Sequence, residues 1–340
     1  MDTITHTLTG LALGQAGLKR KTRFAVLALV IGSNLPDIDI ISLTGGSLNY
    51  LKDHRGITHS LIGFTVLAAL WAFLIYAFGR RARPARRGPA LNAKWLFFIC
   101  WIAAGCHILM DYTNPYGVRL LFPWSGRWFA EDVMPIVDVW ALLFLVIGLA
   151  GPALLRLVSE EVGAARDDPS IARKGAIFAL CGIIAVWGVR DLAHRRALGM
   201  LSARIYRGQE PVRIGAFPTL ANPFQWDAVV QTDSFYFLVP VDTLSGGVNP
   251  YEWKVLYKAS PSPALTAATE TRAARIFLNF ARFPQSLVNE TENGFNVYFR
   301  DLRFASVGSE RWNFVLVLRL SRNLRLQKQR FSFTRRPPER

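Results

Sequence analysis

The sequence predicts an α-helical polytopic membrane domain, with about six apolar helices, followed by a mainly-β or α+β soluble C-terminal domain. Three observations carry this. Hydrophobic residues make up 51% of the chain and mean hydropathy is +0.22, with the apolar residues concentrated before residue 195. The apolar runs are separated by short loops rich in arginine and lysine, the charge pattern that membrane topology imposes. After residue 200, Pro211, Pro218, Pro223, Gly246, Gly247, Pro250, Pro261 and Pro263 punctuate short segments of strand periodicity. A length of 340 residues accommodates about two domains. We place them at residues 1–195, carrying the chemistry, and 196–340, an extracytoplasmic β-rich domain with a basic tail.

Residues 4–18 form a short helix candidate rich in small residues, closed by a basic turn at Lys19, Arg20, Lys21 and Arg23. A second apolar run, 24–35, ends at Pro36, which disfavours helix at the residue before it. Both arms are shorter than the roughly 20 residues of a full crossing; they reach part of the way, or neighbouring helices cover them. Residues 61–79 are uncharged and read as a span, ending in a basic loop that runs from Arg80 through Arg86 and Arg87 to Lys94. The span at 95–112 carries His107 and Asp111 and is broken by Asn114-Pro-Tyr-Gly117. A further span covers 136–157, with Asp138 near its start, and the last runs from 175 to about 189, after a mixed-charge loop that includes Arg166. In the C-terminal domain, Phe295, Val297 and Phe299, and Phe314, Leu316, Leu318 and Leu320, alternate as strands, whereas 264–283 has helical spacing. Residues 322–340 read as a fraying basic tail.

The net charge of +16 raises the question of nucleic acid. The basic residues fall largely in loops between apolar runs, and no nucleic-acid-binding motif occurs. Membrane lipids are therefore the expected partners, and nucleic acid is disfavoured. Cys100, Cys106 and Cys181 lie singly in apolar segments and read as packed thiols. No cleaved signal peptide is expected. Placing the loops at 19–23, 80–94 and 156–174 in the cytoplasm puts both termini and all other connections outside. His6, Asp37, Asp39, His54, His59, His107, Asp111 and Asp138 then fall at the outer ends of their segments, although the charge rule takes no account of histidines.

Imidazole and carboxylate together suit divalent metals such as zinc or manganese. His107 and Asp111 share one helix face, as a functional pair or as a hydrogen bond holding two segments together. His54 and His59 are both able to ligate, or are interfacial residues without a ligand. Asp37 and Asp39, two apart, point to one side of an extended segment. One is then a ligand and the other an orienting group, unless they cap the loop. His6 shares a polar helix end with Thr5, Thr7 and Thr9. Asp138 sits where the helix dipole also favours a carboxylate. Arg55, between the histidines, is placed to stabilise negative charge.

These residues carry a resemblance. Thr5-His6 followed by Gly10, Pro36-Asp-Ile-Asp39, His54-Arg-Gly-Ile-Thr-His59-Ser60 and His107-x-x-x-Asp111-x-x-Asn114-x-x-Gly117 resemble the YdjM-like membrane-bound metal-dependent hydrolases. Some members of that group are described as LexA-binding, inner-membrane-associated hydrolases. The match covers about residues 1–150, and 200–340 resembles the extra domain of longer members. The His-x-x-x-Asp pair and the early His and Asp are also similar to zinc-dependent phospholipase C and its single-strand nuclease relatives. This sequence departs from them in lacking their later His-x-x-x-Glu pair.

The resemblance implies a bacterial inner-membrane location and one or more divalent ions, zinc or alternatively manganese. It implies as ligands His6, Asp37, His54 or His59, His107 and Asp111. Metal-activated water would attack a phosphoester or other small amphipathic or lipid-linked substrate at the outer face, with Asp39 or Asp138 as orienting group or general base and Arg55 balancing charge. A metal or proton transporter instead gathers such groups near the bilayer midplane. A metal-stabilised binding or signalling membrane protein requires a closed ligand shell. An intramembrane metalloprotease is disfavoured, since no His-Glu-x-x-His occurs.

Overall fold

A computed structural model describes residues 1–83, 88–161, 169–309 and 311–336. Arg86, Arg87 and Arg166 of the basic loops, and the last four residues of the tail, lie outside the described residues. The chain forms two compact units: Met1–Asp39 with Arg55–Asp191, and Ile40–His54 with Leu192–Arg340. Its helices are α1 Thr3–Ala16, α2 Ala25–Gly32, α3 Ser47–Asp53, α4 Leu61–Arg81, α5 Ala93–Tyr112, α6 Val139–Glu161, α7 Pro169–Ser202, α8 Pro263–Thr269 and α9 Arg272–Phe280.

Among the described residues, five segments are long and apolar enough to cross a membrane: Ala25–Gly45, Leu61–Arg81, Ala93–Tyr112, Val139–Val158 and Ser170–Ser202. The six expected apolar helices all form, as α1, α2, α4, α5, α6 and α7; α1, with 14 residues, rises only about 21 Å against a hydrocarbon core of about 30 Å and is not among the five. Beyond α2 the chain continues as a 3₁₀ segment, Leu35–Gly45. Pro36 cannot donate there, and the Asn34 side chain donates to the Val30 carbonyl (2.9 Å). Large apolar side chains such as Phe73, Phe78, Leu154 and Leu155 are exposed around the bundle, as lipid-facing positions must be. In the interior of the first unit Leu29, Phe64, Leu96 and Ile99 are interleaved with small residues, among them Ala28, Ala68, Ala72, Ala103 and Ala104, which let helix backbones approach closely. Gly10 shows the effect: a Cβ there would sit 2.6 Å from Ser33 Oγ and 2.9 Å from the Leu29 carbonyl oxygen. That closeness of α1 to α2 brings His6 toward the site described below.

In the second unit, α7 continues well past the predicted end near residue 189. Ala193, Ala197 and Leu201 recur at helical spacing and pack on an antiparallel sheet. That sheet is β1 Arg213–Pro218, β2 Gln225–Gln231, β3 Phe235–Asp242 and β4 Lys254–Tyr257, in the order β1-β2-β3-β4. A second antiparallel sheet comprises β5 Pro284–Thr291, β6 Gly294–Asp301, β7 Trp312–Ser321 and β8 Leu326–Arg335, also in sequence order. The helix expected over 264–283 is two helices, because Thr271 caps a new start by accepting from Ala274 N (3.2 Å). The basic tail does not fray over 326–335. Its residues pair along β7 as β8, and Phe331 turns inward against Phe277. Segment 40–54, read as an outer loop, belongs to this unit: Ser47 Oγ donates to the Phe331 carbonyl (3.0 Å) and Tyr50 meets Phe333 edge-on.

Asp227 lies on β2 between Phe217 of β1 and Pro240 of β3. Burial pushes its carboxyl up to about 6. The folded state then holds this proton more tightly than the unfolded state. The contribution to stability therefore falls as pH rises from about 4 to about 6 and stays lost above that range. Asp227→Asn is expected to stabilise the full-length protein in detergent at about pH 7 by about 1–3 kcal/mol, and to give little gain at about pH 4. Thermal midpoints at the two pH values check this; an equal gain at both contradicts it.

Candidate metal centre

Four side chains from three parts of the first unit converge: Asp37 from the 3₁₀ segment after α2, His59 from the turn before α4, and His107 and Asp111 from α5. His59 Nε2 lies 3.2 Å from His107 Nε2. Asp37 Oδ1 is 3.5 Å from each of these nitrogens, and Asp111 Oδ2 is 3.4 Å from each. A tetrahedron with metal–ligand bonds of about 2.0–2.1 Å has edges of about 3.3–3.4 Å. Five of the six edges of this group, at 3.2–3.5 Å, lie within about 0.1 Å of that figure.

The outer partners of the two rings decide which nitrogens carry protons. His107 Nδ1 is 2.7 Å from the Ser33 carbonyl oxygen, which can only accept. His59 Nδ1 is 3.3 Å from Asp39 Oδ2 and 3.0 Å from Thr58 Oγ1, and the Thr58 hydroxyl itself donates to Asp39 (3.0 Å). Each neutral ring is therefore an Nδ1–H tautomer that aims its Nε2 lone pair inward. Two imidazole lone pairs and two carboxylate oxygens face one another with no proton between them, an arrangement that a cation stabilises. His59, His107 and Asp111 are fully buried, whereas the Asp37 side chain is 29% exposed, so solvent reaches the group from the Asp37 side.

Local structure fixes each part. Ser60 caps α4 by accepting from Gly63 N (3.0 Å). A Cβ on Gly63 would lie 1.6 Å from the Ile57 carbonyl oxygen, so only glycine lets the 57–60 turn fold onto the helix start. His107 and Asp111, one turn apart, project from one face of α5 as expected. Asp37 and Asp39 do not lie in an extended segment. On the 3₁₀ turn they diverge, and the two carboxylates reach opposite nitrogens of His59. Asp39 Oδ2 also accepts from Arg55 N (2.8 Å), stitching the two loops together.

Arg55, at φ 53°, is buried, and its guanidinium is committed. It contacts Asp111 Oδ1 (2.9 Å), Asn114 Oδ1 (3.0 Å) and the Gly117 carbonyl (3.3 Å), and lies over the Tyr116 ring. His6 stacks on His107 with ring centroids 3.8 Å apart, and its Nε2 is 3.4 Å from Asp111 Oδ1. Neither His6 nitrogen makes a hydrogen bond among the described residues. The Met1 α-amine donates to the same Asp111 oxygen. His54 stacks on Tyr50 in the second unit (4.4 Å). Asp138 caps α6 by accepting from Ala141 N (2.8 Å) and pairs with Arg190 Nε (2.8 Å), both side chains fully buried. Sequence reasoning stopped the last span short of Arg190 and so missed it. An acid at a span start with no counter-ion in view was the one signal that it existed.

A helical unit with five segments long and apolar enough to cross a membrane, and a His/Asp group able to hold a metal ion, defines the class. The YdjM inner membrane protein family matches residues 1–195, more than half of the chain, and the chain belongs to that family. The YfhP C-terminal alpha/beta plait domain matches residues 263–336. The chain is similar to YfhP of Bacillus subtilis (strain 168), at 24% identity over 343 residues, covering 96% of this chain and 93% of that protein. It is also similar to the inner membrane protein YbcI of Escherichia coli (strain K12), at 35% identity over 135 residues, 37% of this chain and 70% of that protein. No solved structure matches. Family membership and the five apolar segments together place the protein in a membrane.

Asp39 sets the tautomer of His59 without belonging to the group of four. Asp39→Asn is expected to weaken divalent-metal affinity about 10–100-fold while leaving helix content unchanged. Competition with a chelating dye, alongside circular dichroism, measures both; unchanged affinity contradicts the assignment.

Proposed function

We propose that the protein is a membrane-bound metal-dependent hydrolase acting on a phosphoester or lipid-linked substrate. Zinc, or alternatively manganese, is held by Asp37, His59, His107 and Asp111. The observation that carries the reading is the inward convergence of four proton-free donor atoms, with one exposed edge at Asp37. When bound, such an ion supplies a lowered water pKa and polarises a phosphoryl or carbonyl oxygen.

The chain's own residues do the rest. Asp39 and the Ser33 carbonyl hold the two imidazoles in register. Arg55 positions Asp111 by taking its Oδ1, leaving Oδ2 for the group of four. It acts through Asp111 and not on substrate directly. His6, stacked on His107 with its Nε2 3.4 Å from Asp111 Oδ1, packs behind the group of four in this reading. Asp138, engaged by Arg190 and its helix cap, is given a structural role in this reading.

Exposed apolar side chains support an amphipathic substrate. Ile38 and Ile57 adjoin the ligand segments in sequence, and Leu61 N donates to the Leu120 carbonyl, tying the start of α4 to the loop that carries exposed Leu121 and Trp124. The distribution of basic loops supports placing this end outside the cytoplasm. A purely structural metal is the second reading, favoured by the four protein donors.

Elemental analysis and a phosphodiester hydrolysis assay on full-length protein purified without chelator test the proposal. We expect bound zinc or manganese at about one equivalent or more and metal-dependent hydrolysis. His107→Ala should lose both. Asp37→Asn, altered at the exposed edge, should keep the fold and lower activity. Metal without hydrolysis overturns the enzyme reading in favour of the structural one; absence of metal overturns both.

A further inference from the structure

The second sheet of the C-terminal unit has two unlike faces. Val297, Phe299, Leu316, Leu318 and Phe331 share one face, the one on which Phe277 of α9 packs against Phe331. The strand register gives the opposite face as cross-strand rows. One row is Asn289, Asn296, Arg319 and Lys328; the next is Leu287, Tyr298, Val317 and Arg330. No acid occurs in either row.

The charge is concentrated. Residues 311–336 contain Arg311, Arg319, Arg322, Arg325, Lys328, Arg330, Arg335 and Arg336 and no aspartate or glutamate. Arg319, Lys328 and Arg330 are exposed and form no ion pair or side-chain hydrogen bond among the described residues. Unpaired like charges on neighbouring strands repel and are destabilising in isolation. An anionic partner relieves that repulsion.

The geometry points to this face as a docking surface for the anionic headgroups of a lipid bilayer. The unit is carried on α7, itself a candidate span, so a bilayer is the polyanion that the anchored chain always has at hand, and a cluster of basic side chains is what an anionic leaflet attracts. Single-stranded nucleic acid would need open aromatic rings for its bases. Here the rings are already covered: Arg300 lies 4.2 Å over Trp312 and Arg335 lies 5.5 Å over Tyr298, which is only 6% exposed.

Hydrogen exchange of the β8 amides tests this on the full-length protein in nanodiscs. One set contains phosphatidylcholine alone and the other phosphatidylcholine mixed with phosphatidylglycerol. Slower exchange over 326–335 is expected in the anionic discs and should be lost when salt is raised. The combined variant Arg319→Glu, Lys328→Glu and Arg330→Glu should lose the protection, and the matching lysine variant (Arg319→Lys with Arg330→Lys) should retain it. Exchange in α9 reports whether each variant is folded. Should the glutamate variant unfold, the lipid and salt comparison on the unaltered protein decides. Equal exchange in both lipid mixtures overturns the proposal. So does protection by a single-stranded oligonucleotide with none from phosphatidylglycerol, which would make the face a nucleic-acid surface.

Discussion

Two imidazole nitrogens and two carboxylate oxygens stand about one tetrahedral edge apart, with every adjacent proton held on the far side of its ring. Electrostatics makes this the most demanding point of the molecule. Converging lone pairs and paired carboxylates in a buried site repel, and only a cation or protonation relieves them. Much of the first unit is arranged around that constraint. The Gly10 contact sets α1 against α2, Gly63 folds the 57–60 turn onto α4, and Asn114 ties Arg55 to the loop after α5. Small residues let the helix backbones approach closely, and Leu29, Phe64, Leu96 and Ile99 fill the space between them.

The outer partners matter as much as the inner four. Asp39 and the Ser33 carbonyl are both acceptors, and that chemical fact turns the histidines into inward-facing ligands. Arg55 divides Asp111 between two tasks, one oxygen for the guanidinium and one for the site. A buried arginine engaged through both terminal nitrogens, by Asn114 and Gly117 on one and Asp111 on the other, is a positioning group.

The architecture was legible where periodicity speaks: long apolar runs, alternating strands, and one helix face shared by His107 and Asp111. The site was legible as a set of residue types but less so as geometry. The sequence shows His54 and His59 five apart with equal claim. Only the folded chain shows that His59 joins the group of four, and that Ser47 and Tyr50 of segment 40–54 meet Phe331 and Phe333 within the second unit. The divergence of Asp37 and Asp39 required knowing that Pro36 starts a 3₁₀ turn instead of an extended segment. Arg190 lies far from Asp138 in sequence, and no local rule joins them. The basic tail looked unstructured because its charges mask the one inward residue, Phe331, that pins it as a strand.

X-ray absorption at the metal edge, on full-length protein purified without chelator, tests the central claim most directly. The account requires a shell of about four nitrogen and oxygen neighbours at about 2.0–2.1 Å, with imidazole scattering from two rings and no sulfur. A sulfur-containing shell, a metal with no imidazole signature, or no bound metal at all would contradict it.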